Sequence, residues 1–445
     1  MSRVVIEIHP GENGEGFEVL LSEPEGIPDG WIARPFPYDR DNPIAVNFAH
    51  GQGSVSDMGG YLAAGLRAHP AIGLALDALT LAPNDRASAP VFIRLTPDAE
   101  DLPWETLFDK DAFLALDVRS PVARMGREGG RRSPTLDFQP PLRVMAVLGA
   151  AGVDATAEWE AIYGALRKAA FPVSIRALVA QDALLTQIPK ADDPNVTVSV
   201  GTVPPGREIL DAIADFRPNI LHIFSHGRVS HGFPEIQVAT LTSWGVPDDP
   251  GQVVLDPQSL ATAAVLQSAW IVTLNSCRGA EGGAAGSFAY SLAAMGFPVV
   301  AAMREPVSDT DANAFSRGFY KSVVELIGAA AVAGREVDLD LSAALYEPRM
   351  EICEEHRDGN SPRAAAVGAR EWSLPVLYVR PGGLAVRRSD AAAAAAVSDE
   401  ERSVLETKMR FLQGLILEPV PGMPPEAIDA IRAEVARIKV TLYGN

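Results

Sequence analysis

Asn219-Ile220-Leu221-His222-Ile223-Phe224-Ser225-His226-Gly227 and Trp270-Ile271-Val272-Thr273-Leu274-Asn275-Ser276-Cys277-Arg278-Gly279 decide how this chain is read. Each is a short apolar run that breaks abruptly into small and polar residues. A strand covered on both faces needs no polar alternation, so such runs point to a parallel sheet with helices on either side. Strands are expected at Leu142–Leu148, Val173–Val179, Ile220–Phe224, Trp270–Leu274, Pro298–Met303 and Pro375–Val379. Helical stretches fall between them at Ala157–Ala169, Arg207–Asp215, Gly286–Met295 and Thr310–Ile327. The fold class is therefore α/β, with a mostly parallel sheet flanked by helices.

In such a sheet, functional groups collect at the carboxyl ends of strands, where loops converge on a crevice over a rigid base. One run delivers Ser225-His226-Gly227 there and another delivers Asn275-Ser276-Cys277-Arg278-Gly279. A thiol attacks a carbonyl as thiolate, so a nucleophilic cysteine needs an imidazole to take its proton and return it to the leaving group. His226 is the candidate base and Cys277 the candidate nucleophile. Gly227 permits close backbone approach, and its N–H with that of Cys277 forms a candidate oxyanion hole. Taken alone, Cys277 reads as a buried structural thiol and His226 as a satisfied core histidine. Delivery of both by two successive sheet strands makes them a candidate pair.

Composition narrows the function further. With 57 acidic against 38 basic residues the formal charge is -19, which repels a phosphate backbone or an anionic membrane. Nucleic acid and membrane are not expected partners. Two cysteines, Cys277 and Cys353, are too few for a disulfide framework and fit a reducing compartment, so the expected location is the cytoplasm. His222, His226 and His231 lack the accompanying carboxylate spacing of a metal site, and no phosphate-binding G-x-x-x-x-G-K-[ST] or G-x-S-x-G occurs. No metal or cofactor is expected. Cys353 and His356, beside Glu354 and Glu355, read as structural.

The chain divides into three stretches. Residues 1–135 mix turns with short apolar runs, a helix expected over Met58–Ala78 and a strand over Val91–Leu95. A Gly- and Arg-rich linker, Gly126–Ser133, leads to Pro140-Pro141 and the strand-rich unit 140–382. Residues 390–445 open on six alanines and Ser398 with Glu401 three residues on, a capping-box pattern. Leu405, Met409, Leu412 and Ile416, then Ile428, Ile431, Val435 and Ile438, follow helical spacing. They predict a helical hairpin whose apolar stripes need a partner, hence a docking or regulatory role.

Beyond these local signals, Asn275-Ser276-Cys277-Arg278-Gly279 is close to the caspase pattern Q-A-C-R-G, with the histidine 51 residues upstream (277 − 226), near the spacing of about 50 in that pattern. Leu102-Pro103-Trp104-Glu105-Thr106-Leu107-Phe108-Asp109 resembles the L-P-W-E-L-L-Y-D element of CHAT domains, bacterial relatives of caspases and separases. Phe113-Leu114-Ala115-Leu116, Ser120-Pro121-Val122-Ala123-Arg124 and Trp372 to Tyr378 continue the resemblance. It implies a caspase-like fold and a cysteine endopeptidase acting on a protein substrate in bacterial defence or regulated cell death. Val307-Ser308-Asp309-Thr310-Asp311 is similar to an element in which an acidic residue receives the P1 side chain. Asp309 and Asp311 are thus S1 candidates, with Asn275 two residues before the nucleophile a third; both aspartates also suit the dipole at a helix start. The tryptophan expected just before this element is absent, replaced by Met303-Arg304-Glu305-Pro306. The alternative reading is a catalytically silent caspase-fold scaffold acting through its C-terminal helices.

Overall fold

The continuous apolar runs become strands buried on both faces in the computed structural model, which describes residues 3–11, 15–24, 26–80, 88–126, 135–188, 193, 195–246, 249–262, 268–277, 287–332, 337–380, 384–388, 408, 428, 431–433 and 435. In chain order they are β1 Val4–Pro10, β2 Phe17–Glu23, β3 Arg34–Phe36, β4 Val91–Arg94, β5 Phe108–Asp109, β6 Ala112–Phe113, β7 Val122–Met125, β8 Thr135–Phe138, β9 Leu142–Leu148 and β10 Val173–Val179. There follow β11 Val196–Thr202, β12 Ile220–Ser230, β13 Phe233–Val238, β14 Val253–Leu255, β15 Ile271–Cys277, β16 Val299–Met303, β17 Val337–Leu339, β18 Pro375–Val379 and β19 Leu384–Arg388. Fourteen form one sheet in the order β11-β10-β9-β12-β15-β16-β18-β7-β4-β1-β2-β3, with β13 paired to β12 and β14 to β13. From β11 to β16 every neighbour runs parallel; β18 is antiparallel to β16 but parallel to β7.

Successive strand residues face opposite sides, and the buried apolar residues accordingly form two clusters. On one face Val144, Ala146, Ile175 and Ala177 meet Trp159 and Ile162 of helix Thr156–Leu166 and Phe315 and Phe319 of helix Asp309–Val332. On the other Met145, Val147, Leu221 and Ile223 meet Ile209 and Ile213 of helix Glu208–Phe216 and Phe288 and Leu292 of helix Phe288–Met295.

Residues 1–135 and 140–382 share this one sheet, joined where β18 pairs with β7. A buried charge cluster holds that seam. Arg124 of β7, fully buried, meets Glu105 at 2.7 Å and donates to the carbonyls of Glu100 and Leu102 at 2.5 and 3.0 Å. Burial works to raise the Glu105 carboxyl, but Arg124 overrides it and holds its pKa below the ordinary range. Tyr378 of β18 donates to Glu100 at 2.5 Å, and the rings of Phe113 and Trp372 meet edge-on at 4.9 Å. The separate motifs near 102–109, 113–124 and 372–378 are thus pieces of one seam.

Several expectations need correction. The helix expected over Met58–Ala78 is two, Val55–Arg67 and Pro70–Thr80, because a proline inside a helix lacks the N–H and pushes its predecessor out of helical geometry. β12 does not stop at Phe224; it continues to Ser230 and folds back through β13, so His226 and Gly227 stand in a strand. β15 likewise reaches Cys277. Between β12 and β15 the chain also forms β13, β14 and a short helix, Pro257–Leu260, none of which the apolar runs announce. Most of the Gly/Arg linker and the glycines 279–286 lie outside the described residues. Residues Arg388–Asn445 form a second unit apart from Met1–Arg387. Of the expected hairpin, only 408, 428, 431–433 and 435 are described, all helical.

Helix Val55–Arg67 packs on backbone at one point. A β-carbon on Gly59 would stand 1.8 Å from the Thr106 carbonyl oxygen, whereas one on Gly60 meets nothing within 4 Å. Gly59→Ala should destabilise the fold by about 1–3 kcal/mol through overpacking. Gly60→Ala should stabilise it by about 0.5–1 kcal/mol through helix propensity. Denaturant midpoints of the two variants, moving in opposite directions, check this packing.

Candidate active site

β12 and β15 pair in parallel through seven register positions, from Ile220↔Ile271 to His226↔Cys277. Neighbouring strands lie about 4.8 Å apart, so the backbones of the two candidate residues are side by side at the carboxyl end of the sheet. His226 is half-buried, and its Nε2 lies 2.8 Å from the carbonyl oxygen of Ala151, just beyond the end of β9. A carbonyl only accepts, so Nε2 carries the proton, and in the neutral ring Nδ1 is the acceptor nitrogen. Gly227 is half-buried opposite Ile236 of β13.

Beneath these strand ends lies a polar cluster that the sequence reading missed. Glu158, on helix Thr156–Leu166 and fully buried, accepts from Asn275 Nδ2 at 3.0 Å and from Ser316 Oγ at 2.5 Å. His222 Nε2 is 3.0 Å from the same Glu158 oxygen, at an ion-pair distance but outside hydrogen-bond geometry. Asn275 also donates to Ala312 O and approaches Ser316 Oγ, each at 3.2 Å. Tyr320 stacks at a tilt against His222, with ring centroids 5.7 Å apart, and burial drives its hydroxyl pKa well above the usual tyrosine range. One signal for Glu158 was present in the sequence: it shares a helical stripe with Ala155, Trp159 and Ile162, where a charge has no place unless it is partnered.

The S1 candidates occupy three different settings. Asn275 is 2% exposed and committed to the cluster just described. Asp311, also 2% exposed, has Oδ1 2.9 Å from His356 Nε2 and Oδ2 2.7 Å from the Ser308 hydroxyl that donates to it. Asp309 is exposed in the first turn of helix Asp309–Val332. Asn275 and Asp311 are close, since Ala312, next to Asp311, accepts from Asn275; no local pattern announced the contact between Asp311 and His356.

A second missed residue anchors the helix that follows the cysteine. Ser287 caps helix Phe288–Met295, and its N–H donates to Glu100 at 2.7 Å while its hydroxyl bonds the other Glu100 oxygen. Burial raises the Glu100 carboxyl above its ordinary range, against the pull of Ser287, Tyr378 and Arg124. The chain is therefore fixed on both sides of residues 278–286. Among the described residues, no group of three or more His, Cys, Asp or Glu is placed to hold a metal ion, and no helix is long and apolar enough to cross a membrane.

Cys353 is fully buried, and burial pushes its thiol up to about 12 despite Arg349 nearby. At neutral pH it holds almost no thiolate, so iodoacetamide should leave Cys353 unmodified in the folded protein and alkylate it once the chain is denatured. Peptide mass mapping of the two cysteines checks this; rapid native labelling of Cys353 would contradict its burial.

The chain was also compared with known proteins. It is similar over 73% of its length to separase in two crystal structures of the Saccharomyces cerevisiae separase–securin complex, with 14% identity and a TM-score of 0.34 in one and 13% and 0.32 in the other. It covers only 18% and 17% of those separase chains. No curated protein matches it. The profile of the CHAT domain matches residues 70–367, which is more than half of the sequence and takes in β12, β15 and the motifs near 102–109 and 113–124, so the chain belongs to the CHAT domain family.

Proposed function

We propose that this protein is a caspase-like cysteine endopeptidase that cleaves a protein partner through His226 and Cys277. The observation that carries this reading is the register pair His226↔Cys277 at the carboxyl ends of adjacent parallel strands. In the proposed reaction Nδ1 of His226 takes the proton of the Cys277 thiol, and the thiolate attacks the scissile carbonyl. The N–H groups of Gly227 and Cys277 receive the developing oxyanion. The imidazolium then protonates the leaving amine, and a water molecule, deprotonated by His226, hydrolyses the thioester. The Ala151 carbonyl supports both stages, since its bond to Nε2–H fixes the ring tautomer and leaves Nδ1 to exchange the proton.

Of the S1 candidates, Asp309 has the exposed carboxylate, and we assign it to a basic P1 side chain, with Asp311 and Asn275 forming the buried wall behind it. Family membership supports a role in bacterial defence or regulated cell death and a cytoplasmic setting. The separate unit Arg388–Asn445 is the proposed docking site for an activating or regulatory protein.

Cys277→Ala should abolish cleavage, and His226→Ala should lower kcat by about 10³-fold or more, because members of such a pair act as a unit. New protein N-termini in cells expressing wild type or Cys277→Ala, mapped by mass spectrometry, are the test. Identical N-terminal sets would favour the silent scaffold instead.

A further inference from the structure

The strand that carries His226 outruns its neighbours. β9 pairs with β12 only as far as Phe224↔Leu148 and β15 as far as His226↔Cys277, yet β12 continues to Ser230. His226 pairs with Cys277 on one side and with Gln237 on the other, so β13 lies along the edge away from β15. It takes over there from β9, where the Gly149 carbonyl accepts from the Ala239 N–H at 2.7 Å. The other edge of residues 227–230 continues the line of β15 past Cys277, and among the described residues no strand pairs with it.

The hairpin determines which main-chain groups face that edge. His231 and Gly232 have φ of 52° and 82°, as in a two-residue turn of left-handed residues, and such a turn closes on a hydrogen-bonded pair, here Ser230 and Phe233. Antiparallel pairs alternate, so His226, Arg228 and Ser230 bond to β13 while Gly227 and Val229 turn their main-chain groups to the opposite edge. Pro234 agrees with this, because it stands opposite Val229, where β12 asks for no N–H. Val229 is 43% exposed. Behind it the hairpin is braced by β14 and by the Arg228–Glu235 ion pair at 2.8 Å. An open strand edge invites another chain to pair with it and is normally blunted, whereas this one is rigidly presented beside the proposed nucleophile.

We propose that the leaving half of the substrate polypeptide adds to this edge as an extended strand, exchanging main-chain hydrogen bonds with Val229, an inference that rests on the endopeptidase reading. His226 must reach the leaving amine to protonate it, which brings that half of the chain to β12. The S1 candidates stand instead on β15 and on the helix fed by β16. Val229 lies two residues beyond Gly227, about 7 Å along a strand, so its partner is the second or third residue after the scissile bond. Recognition of this kind reads the backbone, tolerates many side chains and rejects proline at the paired position.

The test uses the full chain and blocked peptides of randomised sequence, five or eight residues long, with cleavage after the fourth residue timed by mass spectrometry. Wild type should cut the long set with a kcat/KM about tenfold above the short set, the gain expected of two main-chain hydrogen bonds less the cost of ordering the segment. Val229→Pro removes one N–H and no bond to β13, and should reduce that ratio to about threefold or less. Val229→Ala, which retains the N–H, should keep the ratio within about twofold. In the long set, N-methylation of the second or third residue after the cut should slow wild-type cleavage about fivefold. That scan needs no variant, so it decides even where Val229→Pro fails to fold. In the Cys277→Ala chain without peptide, the Val229 amide should exchange rapidly with deuterium; slow exchange would mean that the chain itself already covers the edge, and would overturn the proposal. Equal cleavage of both sets, a ratio untouched by Val229→Pro, or indifference to N-methylation at every leaving position would each overturn it and leave the endopeptidase standing. Cleavage of neither set would refute the endopeptidase reading and this pairing with it.

Discussion

Parallel strands in register set residue beside residue, and the proposed chemistry depends on one such ladder, β12 against β15. A slip of one residue would send every side chain of a strand to the other face, so the register must be held by more than backbone bonds. Two features hold it. Leu221, Ile223, Val272 and Leu274 belong to one apolar cluster and Ile220, Phe224 and Ile271 to the other. Between them, His222 and Asn275 both converge on the single buried carboxylate of Glu158. Sliding either strand would leave a buried charge and a buried amide unmatched, at a cost of several kcal/mol.

The seam at β18–β7 plays the same part for the sheet as a whole. Arg124 gathers Glu105, two backbone carbonyls and the neighbourhood of Tyr378, while Glu100 reaches from that cluster to the Ser287 cap. Residues of the N-terminal third thereby fix the start of the helix that follows the cysteine strand. The L-P-W-E segment contributes to the site through this anchoring.

Legibility in the sequence followed burial. β9, β10 and β18 have the bounds expected for them, because strands covered on both faces are nearly continuous apolar runs, interrupted here only by the half-buried Arg143, Ser174 and Arg176. β11, an edge strand that exposes Thr197, Ser199, Val200 and Thr202, offers no such run and went unseen. The extension of β12 past His226 was hidden for a related reason, since hairpin residues that face solvent read as loop. At the site, the histidine and cysteine were visible as strand-end motifs, but their supports were not. Glu158 is 64 residues from His222 in sequence (222 − 158), and Asp311 is 45 from His356 (356 − 311), so only the fold unites them. Within Met303-Arg304-Glu305-Pro306, which departs from the family pattern, Arg304 and Glu305 line a charged cavity with Arg40, Asp101 and Arg370.

Proximity of positions 226 and 277 is the claim on which the account stands, and a thiol bridge measures it directly. With His226→Cys introduced, dibromobimane, which fluoresces once both of its arms have alkylated thiols, should link position 226 to Cys277 in the folded protein. The bridged peptide should be recovered after digestion and should vanish when Cys277→Ala is added. Folded protein that yields no bridged product, with both thiols alkylated separately, would contradict the register and with it the proposed dyad.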